Sequence, residues 1–114
     1  MAVAYSGKLL QVPTSVFVPE TTPVYMITRI ERMGASVHVV GKVWDETNQE
    51  ALKMVKEYPN AAYISPFDHP DIWEGNASII TEMKDQMEGL EPDLVVVAVG
   101  GGGLLTGVCQ GLKR

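Results

Sequence analysis

The sequence is poor in cysteine and in clustered positive charge, and it has no long apolar run. Cys109 is the only cysteine. No internal disulfide can form, and a small thiol within an apolar helix reads as packing rather than as a nucleophile. Nine basic residues are scattered against 14 acidic ones, for a net charge of −5. Nucleic-acid binding rests on basic patches that neutralise phosphates, so that class is excluded. No apolar run reaches the roughly 20 residues a helix needs to cross a bilayer. The opening MAVAYSGKLL lacks the basic start and apolar stretch of a secretory signal. The expectation is a cytoplasmic protein with neither a membrane nor a nucleic-acid partner. No metal is expected either. His38 and His69 are too far apart for ligand spacing, and in the loop cluster Asp68, His69 and Asp71 the two aspartates suit capping and turn roles.

What the chain does have is apolar content of 46% over 114 residues, enough for the core of one small domain. Short β-branched runs alternate with longer helical patterns. A helix over Met1–Leu10 closes at Pro13, and Thr14–Val18 reads as a strand. A threonine cap at Thr21-Thr22, with Pro23 at the first helical position, opens a second helix that Gly34 ends. Ser36–Val40 is the second strand. Trp44–Lys56 is a helix with Asn48, Ala51, Leu52 and Val55 on one stripe. Ala61–Ser65 is a third strand. Ile72–Met87 is a long helix with Trp73, Ile80, Met83 and Met87 on its buried face. Leu94–Val99 (LVVVAV) is a fourth strand, apolar on both faces and so expected to be covered on both. A last helix begins at Leu104. This alternation predicts an α/β fold: an open, mostly parallel four-stranded sheet with helices on both faces.

Ligands of such sheets sit beyond the carboxyl ends of the strands, which directs attention to Pro19-Glu20, Gly41, Pro66-Phe67-Asp68 and the run Gly100, Gly101, Gly102, Gly103. The glycine run follows a buried strand and opens a helix. Glycines there let backbone N–H groups approach phosphate oxygens, and a helix N-terminus adds free donors and partial positive charge. A tight strand-to-helix turn would need one glycine, not four, so phosphate binding is the favoured reading. No Gly-Lys-Ser/Thr follows, and no acidic residue follows a later strand, so neither the Walker pattern nor the dinucleotide fingerprint fits. A mononucleotide or a phosphorylated cofactor remains.

The wording around the loop carries a resemblance. VAVGGGGLLTGVCQGL is similar to the tetraglycine phosphate loop of the fold-type II pyridoxal-phosphate enzymes in its serine/threonine dehydratase form. YISPFDHPDIWEGNASIITEM resembles the preceding strand-loop-helix of the animal-type L-serine dehydratases. VPTSVFVPETTPVYMITRIERMGASVHVVG resembles the small-domain unit of the same family. The resemblance spans the chain. It implies one small-domain-like unit over residues 1–114, of the tryptophan synthase β-like fold and truncated at both ends. It also implies pyridoxal 5'-phosphate as cofactor, with Gly100, Gly101, Gly102, Gly103 and Leu104 supplying N–H groups to its phosphate. The implied activity is dehydration and deamination of L-serine, or L-threonine, to a 2-oxo acid and ammonia in a homodimeric full-length parent.

The family's Schiff-base lysine stands in a Ser-x-Lys-x-Arg-Gly segment. None of Lys8, Lys42, Lys53, Lys56, Lys84 and Lys113 has that context, so no catalytic residue is assigned and the isolated chain is expected to be inactive. Two other readings stay open. One is a non-catalytic remnant or partner-binding isoform; the other is an independent phosphate- or nucleotide-binding α/β module. Asn76, on the stripe of Trp73 and Ile80, is either a partnered core amide or a cleft residue.

Overall fold

The computed structural model describes residues 1–114, which divide into two compact units, Met1–Ile64 and Ser65–Arg114.

The first unit is built as α1 (Ala2–Leu10), β1 (Ser15–Val18), α2 (Val24–Arg32), β2 (Ser36–Val39) and α3 (Trp44–Glu57). The two strands pair in parallel, with Val16 opposite Val37 and Phe17 opposite His38. Side chains alternate across a strand, so Val16, Val18 and Val37 share one face. They pack on a core of Ala4, Ile30 and Ala35. On the other face the rings of Phe17 and His38 stack with centroids 4.6 Å apart. Helix α1 ends at Gln11 in the left-handed region (φ 56°), and α2 ends before Gly34 at φ 84°. The expected start of α2 is off by one residue. Pro23 is the cap itself, with ψ 138°, because its ring fixes φ while its carbonyl accepts from Met26 and Ile27 at 2.9 and 3.3 Å. Thr47, buried in the first turn of α3, donates its hydroxyl to Val40 O at 2.6 Å. It thereby ties α3 to the end of β2.

The second unit is an α-hairpin, α4 (Pro70–Gln86) against α5 (Gly103–Leu112), preceded by the loop from Ser65. Its core is Ala77, Ile80 and Val108. The helices approach closely because α5 presents Gly103, Gly107 and Gly111, all buried, at four-residue intervals on one face. A Cβ at Gly111 would stand 2.7 Å from Ala77 O, and one at Gly107 would stand 2.6 Å from Trp73 O. Glycine is what that spacing tolerates.

The sheet has two strands, β1 and β2, not four. Ala61–Ser65 and Leu94–Val99 carry no ladder. Their apolarity and β-branching suit a strand, but a strand is defined by pairing, and nothing in this chain pairs with either. The double-sided cover expected for Leu94–Val99 is likewise not supplied, since Leu94, Val96 and Val99 are 77%, 86% and 58% exposed.

Candidate functional site: the glycine loop before α5

The loop lies wholly in the second unit. Gly102 is the N-cap of α5, at φ 92° and ψ −9°, a left-handed conformation that residues with a Cβ rarely adopt. Its carbonyl accepts from the Thr106 N–H and the Thr106 hydroxyl, both at 2.9 Å, which closes the first turn. The amides of Gly100, Gly101, Gly102, Gly103 and Leu104 donate to no protein acceptor. These five consecutive donors, at the positive end of a helix dipole, are the electrostatic make-up of an anion cradle.

The two sides of the loop differ. A Cβ at Gly101 would lie under 3.0 Å from the Phe67 ring, and one at Gly103 would lie 2.7 Å from Phe67 O. Gly100 and Gly102 have nothing within 4 Å. Phe67 thus backs alternate residues of the run, and the others stay open. By sequence alone, four glycines have no packing role beyond a tight turn. The structure gives three of them a structural reason as well: contact for Gly101 and Gly103, and a positive φ for Gly102.

Phe67 is itself held. Its carbonyl accepts from Trp73 Nε1 at 2.8 Å, and Ser65 Oγ, in a buried residue, accepts from the N–H groups of Phe67 and Asp68 at 3.3 and 2.9 Å. Capping of α4 falls to His69 rather than to Asp68 or Asp71. In extended conformation, with Pro70 next, His69 turns Nδ1 to accept from Asp71 N–H at 3.2 Å. His38 belongs to the first unit, and no three His, Cys, Asp or Glu side chains gather anywhere. Asn76, half-buried on α4, lies against Gly107. Glu74 accepts from Gln110 Nε2 at 2.7 Å and from both terminal nitrogens of Arg114. The Arg114 hydrogen bond and charge hold the Glu74 carboxyl below its ordinary range, against a smaller opposing effect of desolvation. Cys109 is exposed, which corrects its reading as a buried packing residue; the buried side of α5 is taken by glycines and Val108. No helix is long and apolar enough to cross a membrane.

Comparison with known proteins decides the family. The description "pyridoxal-phosphate dependent enzyme" matches residues 1–114. The chain belongs to this family. Within it, L-serine dehydratase/L-threonine deaminase from Mus musculus is 47% identical over 114 residues, covering 100% of this chain and 35% of its own length. The L-serine dehydratase of Dictyostelium discoideum is 44% identical over 117 residues, covering 99% and 33%. The crystal structure of a fungal L-serine ammonia-lyase from Rhizomucor miehei superposes with a TM-score of 0.89 at 34% identity, over 98% of this chain and 35% of that one. The chain spans about a third of the length of the relatives it matches. The free amides, the open side at Gly100 and Gly102 and the α5 N-terminus fit the phosphate end of the family's cofactor.

Proposed function

We propose that Gly100, Gly101, Gly102, Gly103 and Leu104 hold the phosphate of pyridoxal 5'-phosphate, in a protein that removes water and ammonia from L-serine or L-threonine. The observation that carries this reading is the row of amides from Gly100 to Leu104 without protein acceptors at the start of α5. The names of the relatives support the substrate class. When bound, the cofactor supplies an electron sink for charge developing at the substrate α-carbon. This chain's part is binding. Backbone donors and the helix dipole fix the phosphate without a cationic side chain, so the anchor does not change with pH as a titrating side chain would. No lysine of the chain stands in the Ser-x-Lys-x-Arg-Gly context, so proton transfer at the α-carbon is not assigned to it.

A chimera tests the reading. Residues 1–114 replace the matching third of the mouse L-serine dehydratase/L-threonine deaminase, and pyruvate release from L-serine is followed with added pyridoxal phosphate. The chimera is expected to turn over L-serine, and the 114-residue chain alone is expected to release none. A folded, cofactor-loaded chimera without turnover contradicts the proposal.

A further inference from the structure

We infer that Trp73 is a positioning residue for the glycine loop, acting through Phe67; this rests on the phosphate reading proposed above. The chain of contacts is short and lies in one unit. Trp73, on the first turn of α4, donates Nε1–H to the Phe67 carbonyl at 2.8 Å. That carbonyl is also the atom Gly103 approaches most closely: a Cβ there would sit 2.7 Å from it, and 2.9 Å from Phe67 Cα. The Phe67 ring fills the space under Gly101. Ser65 Oγ fixes the same peptide from the other side by accepting from Phe67 N–H and Asp68 N–H. The backbone of Phe67 is therefore pinned at both its carbonyl and its amide, and the loop rests on it at alternate glycines. Glycine backbones are the most freely moving in a chain. A run of four would sample many shapes, few of which converge the amides of Gly100 to Leu104 on one oxyanion. The Phe67 shelf selects a shape, and the indole hydrogen bond holds the shelf. Pre-organisation of this kind raises affinity by removing the ordering cost from the binding step. The indole N–H is the only side-chain donor of Trp73, so its effect is separable from the bulk of the ring.

The test uses the 114-residue chain with Trp73→Phe, which removes the donor and keeps an aromatic ring, and Phe67→Ala, which keeps the carbonyl bond and removes the shelf. NMR order parameters of the Gly101, Gly102 and Gly103 amides are read together with affinities for pyridoxal phosphate and for pyridoxal, which lacks the phosphate. Both substitutions are expected to lower the loop order parameters from the rigid value of about 0.85 toward about 0.6 or below. Amide protection in α4 and α5 is expected to persist. W73F is expected to cut the preference for pyridoxal phosphate over pyridoxal by about tenfold, the scale of one lost, partly buried hydrogen bond. Unchanged order parameters and an unchanged preference in W73F, with wild type preferring the phosphorylated form, overturn the positioning role. If wild type binds both forms equally, the phosphate reading fails and this inference falls with it. The order parameters then still report whether the indole stiffens the loop.

Discussion

Gly101 lies over the ring of Phe67 so closely that a single added methyl would overlap it. Gly101 and Gly103 therefore share a packing partner more than thirty residues earlier in the chain. The amides of the run meanwhile donate to no protein acceptor.

Two alanine substitutions should separate side-chain from backbone crowding. Gly101→Ala meets the Phe67 ring, whereas Gly103→Ala meets the Phe67 carbonyl and Cα. Each is expected to destabilise the chain by about 1–3 kcal/mol, the usual cost of overpacking. Phe67→Ala should offset part of the Gly101→Ala cost, with a coupling of about 1 kcal/mol. It should leave the Gly103→Ala cost nearly unchanged, because the backbone remains. Urea midpoints of the two double-mutant cycles check this.

The α4–α5 contact makes a paired prediction. Gly107→Ala would press on Asn76 and on Trp73 O and should destabilise by about 1–3 kcal/mol. Gly75, exposed within α4 and with nothing within 4 Å of an added Cβ, should gain about 0.5–1 kcal/mol on replacement by alanine, since glycine is a poor helix residue. Thermal melts of the two variants should shift in opposite directions.

Glu74 predicts a pH dependence. Its folded-state pKa is lowered by the Arg114 hydrogen bond. A carboxylate of this kind adds stability above its unfolded pKa and loses it as pH falls through the depressed folded value. Glu74→Gln should therefore be less stable than wild type at pH 7, with the gap closing below the ordinary value of 4.5. The pair is solvent-exposed, so the gap should be small and should shrink in high salt. Urea titrations at pH 7 and pH 3, with and without salt, read it out.

The sequence made the local elements legible because their signals are local. The αL glycines Gly34 and Gly89 end helices as turn chemistry requires, and on the apolar stripe of α4 Ile80 is buried while Trp73, Met83 and Met87 are half-buried. Ala61–Ser65 and Leu94–Val99 carry no ladder in this chain, because composition reports the fitness of a segment to be a strand, whereas pairing depends on residues elsewhere. At the site, position was readable: four glycines before a helix carry a mechanism. The Phe67 shelf and the Trp73 hydrogen bond were not, because no sequence rule places an aromatic ring under a glycine more than thirty residues away. Gly103, Gly107 and Gly111 recur every four residues, a spacing that marks one helix face and anticipates the tight α4–α5 packing.

The most direct test of the phosphate cradle is an amide NMR titration of the 114-residue chain with pyridoxal phosphate, alongside pyridoxal. Pyridoxal phosphate, and not pyridoxal, is expected to shift the amides of Gly100, Gly101, Gly102, Gly103 and Leu104 together and saturably. Shifts confined to other residues, or the same shifts from pyridoxal, would contradict it.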